Sequence, residues 1–300
     1  MEFMVNCYNK IEHKLSWEDK MMKTIRKTAI VMLLFVYFLT YGVLPQVMAA
    51  GKDTPMIVVA HRAGAKVAPE NTLAALEQAI RDKAPIAEID VQQLSDGTLI
   101  VMHDSSFKRT AGEDVCVWDT EADVLSRLEV GSAFSTAYRG ERIPTLEEML
   151  VCAKDRITLM IELKYTGQEQ ELEESVLALL QSYDMLDECI IGSMNKGILQ
   201  RIKELEPDIS TVYIAHDLGE DDYDLDYADS YSIEGKNLTT DMVDAIHYEG
   251  KSVYGWTANT SAAMRQIVNS GADGIVTDDV RLLQAFLREN ACRKALGSVY

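Results

Sequence analysis

Beyond about residue 51, short apolar runs alternate with longer stretches in which apolar positions recur every three to four residues. The runs at 56–60, 86–91, 158–163, 189–192, 211–215, 229–233, 252–256 and 273–277 have the length and composition of buried strands. The stretches at 72–81, 146–153, 169–182, 197–205, 240–248, 261–269 and 280–288 carry helical spacing. Only the link 215–229 is acidic and without a helical pattern. Eight strands in strand–helix alternation over about 250 residues match a (β/α)8 barrel. A doubly wound open sheet has the same alternation and is the second reading, because a pattern along the chain does not report closure. One extra run, 99–102, follows the second strand through Ser95-Asp96-Gly97 and extends or follows it. Residues 105–144 hold no clear strand and read as an insertion.

Ahead of this alternation, residues 29–50 read AIVMLLFVYFLTYGVLPQVMAA, without a charge. About 20 apolar residues cross a bilayer as a helix, so the run is long enough. Lys20, Lys23, Arg26 and Lys27 stand just before it, which keeps the N-terminus cytoplasmic and places the following chain outside. Val47-Met48-Ala49 also fits a signal-peptidase site, so a retained anchor and a cleaved signal are both open. The expected organisation is a cytoplasmic segment at 1–28, a transmembrane helix or signal peptide at 29–50, and one domain at 51–300. The expected location is the cell membrane with that domain extracellular, or secretion after cleavage.

Composition narrows the classes. A hydrophobic content of 47% with 26% charged residues is that of a folded globular chain. A net charge of −19 excludes nucleic acid as the expected partner. The five cysteines (Cys7, Cys116, Cys152, Cys189, Cys292) form no CxxC pair, which excludes a zinc knuckle or disulfide scaffold. Asp222, Asp224 and Asp226 imitate the start of a calcium loop, but Tyr227 stands where its glycine belongs.

The chemistry gathers where apolar runs end. The first run leads into His61-Arg62, the second carries Glu88 and Asp90, and the 99–102 run leads into His103-Asp104. The 158–163 run ends in Glu162-Leu163-Lys164, the 252–256 run in Trp256, and the 273–277 run leads into Asp278-Asp279. Alternate strand residues share a face, so Glu88 points with Asp90 and Glu162 with Lys164. In a parallel barrel all C-terminal strand ends meet at one mouth, and these groups would converge there. Glu88, Asp90 and Glu162 are hard oxygen donors suited to Mg²⁺ or Ca²⁺ rather than Zn²⁺. Arg62 and Lys164 are the donors expected around a phosphate. His61 and His103 supply an acid and a base near neutrality. Together these groups describe phosphodiester hydrolysis. Pro69-Glu70-Asn71-Thr72 reads as a helix cap, and His13, His216 and His247 as ordinary polar residues.

At this level of detail the chain resembles the glycerophosphodiester phosphodiesterase family. The resemblance is carried by His61-Arg62, Ala68-Pro69-Glu70-Asn71-Thr72, Glu88-Ile89-Asp90-Val91, Ser95-Asp96-Gly97 and Val101-Met102-His103-Asp104. Arg109-Thr110, Ile143-Pro144-Thr145-Leu146-Glu147-Glu148, Glu162-Leu163-Lys164, Trp256-Thr257 and Gly271-Ala272-Asp273-Gly274-Ile275 continue it, in order, over residues 56–288. The resemblance implies a TIM barrel with a small insertion after the second strand and cleavage of glycerophosphodiesters to glycerol 3-phosphate and an alcohol. It implies a divalent cation held by Glu88, Asp90 and Glu162, phosphate held by Arg62 and Lys164, and Trp256 lining the glycerol side. His61 and His103 would be the acid/base pair. One histidine would help the substrate's 2-hydroxyl attack phosphorus, the other would protonate the leaving alcohol, and water would open the cyclic phosphate. The N-terminal apolar segment resembles that of the membrane-attached bacterial members. One departure stands out: the usual HRG opening reads His61-Arg62-Ala63-Gly64. Two other readings are a phospholipase D of the sphingomyelinase type and a surface protein that binds phosphate esters without cleaving them.

Overall fold

The computed structural model describes residues 55–297, and in them each apolar run becomes a strand. The strands and helices follow in the order β1 (Ile57–Ala60), α1 (Leu73–Arg81), β2 (Ile86–Gln93), β3 (Leu99–Val101), α2 (Lys108–Ala111) and α3 (Gly131–Phe134). Next come α4 (Leu146–Ala153), β4 (Thr158–Leu163), α5 (Leu172–Ser182), β5 (Cys189–Ser193), α6 (Lys196–Leu205), β6 (Ser210–Ala215) and β7 (Ser230–Glu234). The chain ends with α7 (Thr240–Tyr248), β8 (Ser252–Trp256), α8 (Ser261–Ser270), β9 (Gly274–Thr277) and α9 (Val280–Gly297). Five helices start on a Thr or Asn (Thr72, Thr145, Asn195, Thr239 and Thr260) whose side chain accepts from a first-turn N–H.

Closure decides between the two architectures. The strands run β1-β9-β8-β7-β6-β5-β4-β2, and β1 also pairs β2 in parallel, with Val59 beside Ile86. The eight parallel strands therefore form a closed barrel, and the open sheet is excluded. The extra run is β3, an antiparallel partner of β2, with Val91 beside Val101. Between β6 and β7 the structure has only one 3-10 turn, Glu220–Asp222, as the acidic link without helical pattern predicts. The last helix outruns its predicted end at 288, because its further turns are polar and leave no apolar stripe to read.

The period of two along each strand sorts side chains into two cores. Ala87, Ile89 and Val91 of β2, with Leu159, Ile161 and Leu163 of β4, pack outward under the helices. Val59, Ile86, Met160, Val212, Tyr254 and Val276 form a separate apolar plug inside the barrel. The insertion between β3 and α4 has a third small core, in which Phe107, Val117, Leu128 and Ile143 pack on Ile100 and Met102. Among the described cysteines Cys116, Cys152, Cys189 and Cys292 are all free. No described helix is long and apolar enough to cross a membrane. The expected segments at 1–28 and 29–50 lie outside the described residues.

Candidate active site

The parity that builds the plug also builds the site above it. Two residues beyond Val59 stands His61; beyond Ile86 stand Glu88 and Asp90; beyond Met160 stand Glu162 and Lys164. Beyond Tyr254 stands Trp256, and beyond Val276 stands Asp278. Asp90 and Glu162 are register partners across β2 and β4, so their carboxyls share one level of the barrel.

Glu88, Asp90 and Glu162 each offer an oxygen, and the three oxygens lie within 4.8 Å of one another. All three residues are buried. The Arg62 backbone N–H donates to Glu88 Oε2 at 2.7 Å, while Glu88 Oε1 is buried without a hydrogen-bond partner. Burial, reinforced by the negative charge of Asp90, pushes the Glu88 carboxyl up to about 8. Burial raises the Glu162 carboxyl too, against the pull of Lys164. Burial works against the Asp90 charge as well, but the Lys164 ammonium and the hydrogen bonds of Lys164 and Asn71 outweigh it and hold that carboxyl low. Three clustered carboxylates with an orphaned oxygen could hold a divalent cation; without one, burial favours the protonated form of Glu88 and Glu162 while Asp90 keeps its charge against Lys164.

Lys164 Nζ reaches Asp90 Oδ1 at 2.8 Å and Glu162 Oε1 at 2.7 Å. Arg62 lies at 3.8 Å from Asp90 through Nε, an atom that is buried without a hydrogen-bond partner. The two expected phosphate donors therefore border the carboxylate cluster. Arg62, Ala63 and Gly64 have φ values of 48°, 61° and 109°, so the opening loop is left-handed throughout. Ala63 keeps that turn where glycine would hold it without strain.

Each histidine is held through Nδ1. His61 Nδ1 lies 2.5 Å from Asp278 Oδ1, and Asn259 Nδ2 donates to Asp278 Oδ2 at 2.5 Å. Burial lowers the His61 imidazolium, but the Asp278 hydrogen bond and the charges of Glu88 and Asp278 prevail and raise it above its ordinary value. His103 Nδ1 lies 2.9 Å from Asp104 Oδ1. Gln92 brackets His103 on the backbone, donating to Met102 O at 2.7 Å and Asp104 O at 2.8 Å. With both Nδ1 atoms engaged, Nε2 is the nitrogen each ring has left for proton transfer.

Several supporting residues were not evident as such from the sequence. Asn71 and Thr72 are both good caps by sequence; Thr72 is the one that caps α1, and Asn71 Nδ2 instead donates to Asp90 Oδ2 at 2.8 Å while its Oδ1 accepts from Asp90 N at 3.2 Å. Its φ of 57° is one that asparagine tolerates better than most side chains. Asp278 was detectable: it continues the inward parity of β9, and a carboxylate there needs a partner. Trp256 stands at the mouth, but its indole N–H donates to Ser232 O at 2.9 Å. Its ring packs against His216 at 5.2 Å, so it belongs to the β6–β8 wall. His216, at the end of β6, stands beside Trp256 at the mouth, exposed and bonded to Glu234 at 3.0 Å.

Comparison with known proteins bears out the resemblance to the family. The chain is 30% identical over 243 residues to a glycerophosphodiester phosphodiesterase of Caldanaerobacter subterraneus subsp. tengcongensis, covering 78% of this chain and 98% of that protein. It is 30% identical over 244 residues to a glycerophosphodiester phosphodiesterase of Bacillus subtilis, covering 74% of this chain and 83% of the other. The solved structure of an Oleispira antarctica phosphodiesterase in complex with the product sn-glycerol-3-phosphate superposes with a TM-score of 0.73 at 27% identity, over 78% of this chain and 97% of that one. Because the pattern of the glycerophosphoryl diester phosphodiesterase family matches residues 61–282, this chain belongs to that family and is an enzyme of its kind.

Proposed function

We propose that the enzyme hydrolyses glycerophosphodiesters to glycerol 3-phosphate and an alcohol, using a divalent cation on Glu88, Asp90 and Glu162 and His61 with His103 as its acid/base pair. The single observation that carries this reading is the buried carboxylate triad, with oxygens within 4.8 Å and Glu88 Oε1 unpartnered. A bound Mg²⁺ or Ca²⁺ would supply positive charge against the phosphate and its attacking oxygen. Arg62 and Lys164, bordering the same cluster, hold the phosphate oxygens. One histidine takes the proton of the substrate's 2-hydroxyl as it closes on phosphorus, and the other gives a proton to the leaving alcohol. The roles then reverse as water opens the cyclic ester. Trp256 offers an apolar face to the glycerol carbons. The apolar segment at 29–50 supports placement outside the membrane, anchored or cleaved, which the intact mass of the exported protein decides.

The test is turnover of glycerophosphocholine, glycerophosphoethanolamine and glycerophosphoglycerol with Mg²⁺, Ca²⁺ or Mn²⁺, set beside intact phospholipid and sphingomyelin in micelles. Release of glycerol 3-phosphate from the deacylated diesters is the expected result. Turnover of intact lipid alone would transfer the assignment to the phospholipase D reading, and no turnover of any would reject hydrolysis.

A further inference from the structure

The insertion carries a residue that joins the two histidine loops. Arg109 lies on α2, two residues after Phe107, which is buried in the insertion's own core. Its guanidinium faces two carboxylates at once. Nε donates to Asp104 Oδ2 at 2.6 Å and one terminal nitrogen to Asp104 Oδ1 at 3.1 Å. The terminal nitrogens also reach Glu70 Oε2 at 2.9 Å and Oε1 at 2.6 Å. Asp104 is the partner of His103 Nδ1, and Glu70 also accepts from Arg62 at 2.9 Å. An unbroken chain of contacts therefore runs from the His103 ring through Asp104, Arg109 and Glu70 to Arg62, next to His61.

We propose that Arg109 is a positioning residue that sets the His103 ring by fixing Asp104, and that this is how the insertion contributes to the reaction. The inference rests on the acid/base reading of His103 given above. Arg109 fits the task where lysine would not, because only a planar fork meets two carboxylates edge-on. A lone exposed ion pair does little, but Arg109 saturates both oxygens of Asp104 and both of Glu70, leaving neither carboxylate free to swing. Asp104 has its two oxygens shared between His103 and Arg109; among the described residues, no group but Arg109 holds its outer oxygen. The insertion also grips the first loop away from this chain of contacts. Tyr138 Oη donates to Val67 O at 2.9 Å, and Glu141 accepts from Ala74 N at 3.0 Å. Those contacts dock the insertion without touching either histidine, which makes them internal controls.

The experiment compares Arg109→Ala, Arg109→Lys and Tyr138→Phe with wild type, using glycerophosphocholine, and combines Arg109→Ala with His103→Ala. A misplaced catalytic group costs up to about 100-fold, so Arg109→Ala is expected to lower kcat about 10- to 100-fold with KM within about threefold. Because the effect travels through His103, the double variant is expected to match His103→Ala within about twofold. Arg109→Lys, which keeps the charge and guards against a folding failure, is expected to lose at least about fivefold in kcat at an unchanged melting temperature. Tyr138→Phe stays near wild type. Proton–nitrogen NMR of the imidazoles gives a second readout that needs no substrate: the His103 ring signals should move in Arg109→Ala while those of His61 stay. Unchanged His103 signals, a kcat within twofold of wild type, or a loss that multiplies on the His103→Ala background would each overturn the proposal. Absent turnover by the wild type would instead strike the functional reading, with the NMR comparison still deciding the positioning role.

Discussion

Chelating divalent cations is expected to lower glycerophosphodiester turnover by at least about 1000-fold, with recovery on adding Mg²⁺ or Ca²⁺. Charge stabilisation by a metal is worth several kcal/mol, and 1.36 kcal/mol is a factor of ten. The same carboxylates tie cation binding to stability. In the cation-free protein Glu88 is pushed up to about 8, from an ordinary value of 4.5, by burial and by the Asp90 charge. The folded protein thus keeps a proton that the unfolded chain gives up near 4.5, and its advantage is complete below that pH. Cation-free stability should then fall as pH rises from about 4.5 to about 8. Glu162, raised by burial, adds to the same slope. A cation displaces these protons, so the rise in Tm on adding Mg²⁺ or Ca²⁺ should be larger at pH 8 than at pH 5.5. Glu88→Gln should flatten the slope and raise cation-free Tm at pH 8 while removing activity. Turnover indifferent to chelation, together with a Tm unmoved by Mg²⁺, Ca²⁺ or Mn²⁺, would sink the cation assignment.

The next largest effect concerns the histidines. His61→Ala and His103→Ala should each reduce kcat by about 100- to 10,000-fold, the usual range for a general acid or base. Asp278→Asn tests the pair more finely. Burial alone would depress the His61 imidazolium; the Asp278 hydrogen bond leads the contributions that raise it. Removing the carboxylate charge should move the limb of the pH–rate profile governed by His61 to lower pH. Movement of the acidic limb marks His61 as the base of the rate-limiting step, and movement of the alkaline limb marks it as the acid. If neither alanine variant loses more than tenfold, the protein turns over its diester without these histidines as acid and base, and the two-histidine mechanism falls.

Most of the site was legible because strands carry a strict period. Glu88 with Asp90, and Glu162 with Lys164, had to share a face, and a polar group at an apolar strand's end is costly unless it serves a purpose. The residues that hold this machinery in place were harder to see. Asn71 sits in a stretch whose capping role explains it well enough, so nothing in the local pattern points to Asp90, 19 positions away. Gln92 follows Asp90 in the same parity, but an uncharged side chain gives no reason to look for a partner. Arg109 and Glu70 are exposed or half-exposed charges of a kind that usually face solvent, and only their double fork shows otherwise. His216 matched no motif, and its place at the mouth follows only from the parity of β6.

What the chain determined by itself is local: where strands and helices form, which strand positions point together, and which chemical groups sit at the strand ends. Those properties depend on backbone period and on the cost of burying polar groups, and both act between near neighbours. Closure, and the pairings that depend on it, needed the tertiary structure. The β1–β2 ladder, His61 with Asp278 across 217 positions, and Arg109 with Glu70 across 39 are contacts between distant segments. No spacing along the sequence encodes them, since each exists only once the barrel has curled back on itself and carried the loops of separate strands to one rim.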